Sequence, residues 1–441
     1  MTLDRDPAII SQLKPHPLRE EIYGELHARP TPLLDVPLRA SHLVFLTDLE
    51  EMAASHAHVV RLAKRYATTA PTPDSNYFHG HFGGFDLRWE KHTEFCSLTV
   101  LRPGVGQQPF EDTAFSLLPE DWVDAIPGQL VVAAHLSLLP QDTTEPDSPQ
   151  LRDWFEGQLV TGSRLSDGRA SAWTTFRMHR DGFSRFLVRD NGLSPYQAGR
   201  TVQRLLELET YRVMSLLALP EARKLAPETT RLDGELARVM DRFMTIESAD
   251  DERQLLSELS GLAATVEHHR SITNYRFGAT RAYYSLVQGI LANLREEHYP
   301  GMSSMAKFLE RRLGPGVRTC FAMEARLENL SKRVGRAGEL LQARINVNIE
   351  TQNQGLLTAM NRRSGMQLRL QQTVEGLSVA AISYYTIALL KILFDALESS
   401  GAPINSHIAV GSAVPIVILA VWGLVRRVRR RLSNDDNDAG K

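Results

Sequence analysis

The sequence is poor in several features, and each shortage excludes something. It has only two cysteines, Cys96 and Cys320, far apart in the chain. No disulfide framework is expected, and a reducing cytoplasm fits. The net charge of -2 shows no basic excess. Arginines in the helical part alternate with Glu and Gln as on solvated faces, so nucleic acid is not an expected partner. The opening MTLDRDPAIISQLKPHP has no apolar stretch and is broken by proline, which does not read as a signal peptide. A phosphate-binding glycine loop, a dinucleotide fingerprint, a nucleophile elbow and an HExxH pair are all missing, so the sequence supports no enzyme class or cofactor. Finally, residues 395–406 contain no Lys or Arg.

That last gap separates two long apolar runs, residues 376–394 (GLSVAAISYYTIALLKILF) and 407–425 (HIAVGSAVPIVILAVWGLV). A helix rises about 1.5 Å per residue and the hydrocarbon core is about 30 Å thick, so roughly 17–25 apolar residues span it. Both runs qualify. Lys391 lies near the end of the first, where its stem can snorkel to the headgroups. Arg362, Arg363 and Arg369 precede the first run, and Arg426, Arg427, Arg429, Arg430 and Arg431 follow the second, whereas the connecting stretch carries Asp395 and Glu398. The positive-inside rule then predicts a multi-pass protein of the bacterial inner membrane with both termini cytoplasmic. The five-arginine cluster would face anionic lipid, at about 1 kcal/mol per residue near the surface.

The predicted fold is an α+β cytoplasmic domain, then a long α-helical stalk, then a two-helix C-terminal transmembrane hairpin. Residues 1–38 read as a proline-rich arm with a short helix near 18–27. Residues 39–192 read as one mostly antiparallel α+β domain. A helix capped by Asp48 follows the first strand, alternating strands run through 77–102 and 129–139, and Asp167-Gly168 and Asp181-Gly182 mark tight turns. From residue 193 to 375 the pattern is helical, with breaks expected at Pro220, Pro227 and Pro300 and no later strand. Cys320, Met323, Leu327, Leu330, Val334, Ala337 and Leu341 form a heptad seam. The alternation resumes at Leu370, Val374, Leu377 and Ala381, predicting one helix from near 317 to near 397 that forms a homo-oligomer through residues 317–381. The membrane hairpin covers 376–425, and 426–441 is a basic, then acidic, tail.

Four constellations carry candidate chemistry. His16, Arg19, Glu25, His27 and Arg29 gather a carboxylate, imidazoles and guanidiniums in one short arm, suited to an anion pocket or acid–base site, or more plainly to an ion-pair cluster holding the arm down. His79 and His81 share one face of a predicted strand and His92 lies on the next, a set able to bind zinc or a similar metal. QARINVNIETQNQ at 342–354 reads as a solvated or register-setting stretch, or as a polar ring where symmetry-related helices meet and line a hydrated passage. On a helical wheel Glu375, Ser378, Tyr385 and Thr386 fall within an arc of about 100°, the candidate lining of a pore.

The pairing of HPLR…ELHARP near the start with TVEGLSVAAISYY at the first apolar run resembles a family of uncharacterised, membrane-anchored bacterial proteins. That resemblance implies no activity. The layout is also similar to that of CorA-type divalent-cation transporters, which implies a divalent cation as cargo. Their Gly-Met-Asn signature has no counterpart here, where the loop offers Gly401-Ala402-Pro403-Ile404-Asn405 and Gly365-Met366-Gln367 precedes the first run. Three functions follow as expectations: a membrane-anchored oligomeric scaffold or sensor, a CorA-like channel, or an enzyme with its site near His16, His27 and Arg29.

Overall fold

The computed structural model describes residues 14–25, 30–246, 248–399 and 405–438. The elements run α1 (Arg19–Glu25), β1 (Leu38–Leu46), α2 (Leu49–Arg65), β2 (Tyr77–His81), β3 (Asp86–Lys91), β4 (Phe95–Pro103), α3 (Glu120–Val123), β5 (Gln129–Leu139) and α4 (Ser148–Trp154). They continue with β6 (Thr161–Leu165), β7 (Ala170–Thr174), β8 (Ser184–Asp190), α5 (Pro195–Met214), α6 (Leu219–Thr245), α7 (Ala249–Asn293), β9 (Glu297–His298), α8 (Met305–Arg312), α9 (Gly314–Ser399) and α10 (Ser406–Asp438).

The chain divides into two compact units, residues 1–338 and 339–441. In the first, the strands form one nine-stranded sheet in the order β2-β3-β4-β1-β5-β8-β7-β6-β9. Strand β1 shows how the two-residue period builds the core. Leu43 and Phe45 point to one face and meet Met52, Val59 and Leu62 of α2, while Leu38 and Ala40 point to the other and meet Val202 and Leu205 of α5. Both helices start on capping boxes, Asp48 with Glu51 and Ser194 with Gln197, which satisfy orphan N–H groups and fix where each helix begins. The β6–β7 turn runs through Ser166, Asp167 and Gly168 at φ of 55°, 59° and 78°, the left-handed geometry a tight hairpin demands.

Three features differ from the sequence reading. β5 and β8 pair in parallel, through a crossover made of α4, β6 and β7. β9, arriving after the long helix α7, adds to the sheet edge by pairing with β6. A two-residue strand leaves no periodic signal, so its pairing is invisible before the fold is known. Pro227, expected to break a helix, lies inside α6. The flanking buried residues Leu225, Thr229 and Leu232 hold that segment by tertiary packing, which overrides local propensity.

The first compact unit runs to Gly338, and its helices pack with the sheet and with one another. Cys320, Met323 and Leu327 of α9 are buried against Ala218, Ala222 and Leu225 and against Phe277 of α7. Arg326 and Arg333 both pair with Asp233 of α6, at 3.0 and 2.6 Å, and Glu267 of α7 accepts from Ser331 at 2.5 Å. The first heptad seam, read as a self-association surface, is thus covered by this chain's own helices as far as Ala337. A heptad stripe specifies a helical partner but not whether that partner comes from the same chain.

In the second unit, α9 continues to Ser399 and α10 follows. Leu370, Val374 and Leu377 of the later seam are exposed, at 68%, 57% and 73%. Among the described residues two segments are long and apolar enough to cross a membrane, with mean hydropathy of 1.8 in α9 and 2.4 in Ser406–Arg427. Only 6% and 0% of those windows are buried, unlike the core helix of a soluble protein.

Candidate functional site

Between α5 and the β1–β3–β4 region of the sheet, the apolar packing gives way to polar side chains around a small, partly open cleft with a cavity volume of about 40 Å³. Alternation puts them there. Arg88 and Glu90 on β3 lie on the face opposite Leu87 and Trp89, which enter the core under α2. Ser97 and Thr99 on β4 alternate in the same way with Cys96, Leu98 and Val100. α5 closes the cleft with Gln203, Glu207, Thr210 and Tyr211 on the stripe that also carries Val202 and Leu206. Leu34 covers one end. Its segment is held across α5 by the Leu34 N–H donating to the Pro195 carbonyl at 3.1 Å. Pro32 lies so close to Gly199 that a Cβ there would sit 1.8 Å from the Pro32 oxygen, so this contact requires glycine.

His42 forms the floor. Thr99 Oγ1 lies 2.8 Å from its Nδ1 and Thr210 Oγ1 lies 2.9 Å from its Nε2, while Thr210 Oγ1 donates to the Leu206 carbonyl at 3.0 Å. Burial pushes this imidazole down to about 4, so it is neutral and spans sheet and helix.

The wall at β3 carries the charge. Arg88, 5% exposed, donates from Nη2 to Glu90 Oε1 at 2.8 Å, and its guanidinium stands 5.5 Å from the centre of the Tyr77 ring. Its Nε is buried without a hydrogen-bond partner among the described residues. His92 Nε2 lies 3.7 Å from Glu90 Oε2, and the ring stacks on Phe95 at 4.1 Å. Burial alone would raise Glu90, but the facing His92 and Arg88 outweigh it and hold the carboxyl below its usual range. Opposite, Glu207 accepts from Gln203 Nε2 at 2.8 Å, and burial pushes its carboxyl up. The cleft opens past His92, Phe95 and Tyr211 into a second groove bordered by Tyr283. There Tyr283 donates to Glu94 at 2.6 Å, and Arg276 lies 2.9 Å from the same carboxylate.

The residues singled out in the sequence are dispersed. His16 accepts from the Leu18 N–H at 3.2 Å, and Arg19 stands 5.6 Å from the centre of the Tyr23 ring, both on an exposed arm. His27, Arg29 and the Glu25 side chain lie outside the described residues. His79 and His81 share Asp86, at 3.7 and 2.6 Å, whereas His92 belongs to the cleft and is paired with Glu90. The three do not converge, because His92 falls in the turn after β3 instead of on a paired strand. Among the described residues no group of three or more His, Cys, Asp or Glu side chains is placed to hold a metal.

Of the pore candidates, Ser378 and Thr386 donate to the carbonyls of Val374 and Ile382 in their own helix, each at 2.8 Å. Tyr385 is 68% exposed beside Tyr384. Glu375 borders a hollow with Trp422 and Arg426 of α10, and Arg426 stands 5.0 Å from the centre of the Trp422 ring. Arg427 is exposed, and the side chains of Arg429, Arg430 and Arg431 lie outside the described residues. A Ser–His pair, unnoticed in the sequence, joins Ser41 Oγ and His135 Nδ1 at 2.9 Å. Both residues are buried and Ser41 also accepts from the Phe115 N–H at 2.9 Å, so the pair ties strands to a loop.

The family model described as "Protein of unknown function (DUF3422)" matches residues 14–432. The chain belongs to this family. No curated protein and no solved structure matches it. The match spans the sheet, the cleft and both apolar segments, so the three are parts of one family architecture.

Proposed function

We propose that the protein is a membrane-anchored sensor. In this reading residues 376–394 and 407–425 cross the bacterial inner membrane with both termini cytoplasmic, and the first unit binds a small polar molecule in the cleft under α5. The single observation that supports it best is the cleft itself, where a buried guanidinium, two carboxylates on opposite walls and two imidazoles gather between sheet and helix. Burying such groups is costly unless they serve packing or a ligand. A pocket with apolar walls and a few convergent polar groups is the usual form of a small-molecule site. The cleft wall α5 is followed in the chain by the helices that lead into the apolar segments, which gives occupancy a covalent route toward the membrane.

Later-seam residues Leu370, Val374 and Leu377 then serve self-association. Copies inserted in one bilayer with one topology meet in parallel and in register there, and a long exposed helix has little stability without partners. A thermal-shift screen of small polar compounds on the full-length protein in lipid nanodiscs tests the sensor reading. Compounds are expected that raise the midpoint of wild type but not of Gln203→Trp, which puts a large ring at a residue lining the cleft. A screen in which no compound separates the two would overturn it.

A further inference from the structure

Buried and half-buried carboxylates in the first unit usually meet a guanidinium. Glu90 is paired with Arg88, Glu94 with Arg276, Glu156 with Arg185 and Glu209 with Arg212. Glu207 departs from this pattern. Its hydrogen-bond partner among the described residues is the neutral Gln203 amide, and it faces the cleft. The cleft therefore holds two carboxylates and one guanidinium, and that guanidinium is already engaged by Glu90. Glu207 feels Arg88 and Arg204 only at longer range and makes no ion pair among the described residues, and a carboxylate so placed in a poorly solvated site either takes up a proton or waits for a cation. Part of the wall is apolar, with Leu34, Val202 and Leu206 and the Phe95 and Tyr211 rings among the polar side chains of Ser97, Thr99 and Thr210. Ring faces attract a passing cation.

We infer that the cleft takes a small organic ammonium ion, its charged nitrogen on Glu207 and its alkyl body against Leu34, Val202 and Leu206. This rests on the reading of the cleft as a ligand site. The ammonium supplies the missing counter-charge, and its N–H groups suit the Glu207 oxygens. An anion would face two carboxylates, with Arg88 Nη2 already engaged by Glu90 and its Nε alone left to donate. Binding is coupled to protons, because burial raises the Glu207 carboxyl and the fraction carrying a proton must release it to accept the ammonium. Affinity therefore rises with pH through the titration of Glu207. The other titratable or charged groups around it are Arg88, Glu90 and His92 from the β3 side, His42 from β1, and Arg204 and Tyr211 from α5.

The test is calorimetric titration of the full-length protein with butylammonium, with 1-butanol and butyrate as uncharged and anionic counterparts. Butylammonium is expected to bind at least about tenfold more tightly than either. Glu207→Gln is expected to lose about tenfold in butylammonium affinity and most of the rise between pH 5 and pH 8. Should that variant fail to fold, the pH dependence and buffer-dependent proton release of wild type carry the same test. Butyrate binding as tightly as butylammonium, or a pH-independent affinity, would overturn the inference. If other compounds bind in a manner lost in Gln203→Trp while ammonium ions do not, the ligand class is wrong and the site stands. If no compound separates wild type from that variant, the site itself is wrong and the inference falls with it.

Discussion

Thr210 fixes the protonated nitrogen of His42. Its hydroxyl hydrogen goes to the Leu206 carbonyl, so the His42 Nε2 that lies 2.9 Å away must be the donor, and Nδ1 must accept from Thr99. Thr210→Val removes that acceptor and leaves a buried N–H unpaired. It is expected to cost about 1–3 kcal/mol, measured by denaturant unfolding followed on the emission of the buried Trp89 and Trp173.

Acid is expected to destabilise the first unit well above the carboxylate range. Burial pushes His42, His58 and His135 down to about 4 in the folded state, while the unfolded imidazole titrates at about 6.5. Between those values the unfolded chain binds more protons, so stability is full above about pH 6.5 and is lost as pH falls toward 4. His42, wholly buried, should contribute on the order of 3 kcal/mol to that loss. Stability measured across pH 4 to 7.5 checks it, and His42→Asn should flatten part of the slope.

The first heptad seam and the later one should respond oppositely. Leu327 is 1% exposed, packed against the chain's own helices, and Leu327→Ala should cost about 2–5 kcal/mol without changing the mass of the particle. Leu370→Asp with Val374→Asp should leave the first unit as stable as before and reduce the mass measured by light scattering in detergent.

Single cysteines at Ser400 and Ser433 should label from opposite sides of the membrane with an impermeant maleimide. The native Cys96 and Cys320 are free and buried, so background labelling is expected to be low. Labelling of both new positions from the same side would remove the hairpin topology.

Much of this architecture was legible in the sequence, and the reasons are specific. Strand β5 is a continuous run with only Gln129, His135 and Ser137 polar, Asp48 and Ser194 announce their helices, and the apolar runs at 376–394 and 407–425 are long enough for crossing. The cleft was not legible. Arg88 and Glu90 alternate with Leu87 and Trp89, which is also the pattern of a strand with one solvated face. What buries them is α5, more than a hundred residues later in the chain, and its contribution from Glu207 and Thr210 looks like ordinary helix surface until the two are docked. His92 suffered the reverse error. Its spacing suggested partnership with His79 and His81, whereas its neighbours are Glu90 and Phe95.

The central claim is that occupancy of the cleft is sensed toward the membrane. Hydrogen exchange on the full-length protein in nanodiscs, with and without the compound that binds the cleft most tightly, tests it directly. The account predicts altered protection in α5 and also in α6, α7 and the stretch of α9 after Gly338. Changes confined to the cleft-lining segments would contradict it, leaving a binding protein that reports nothing to its anchor.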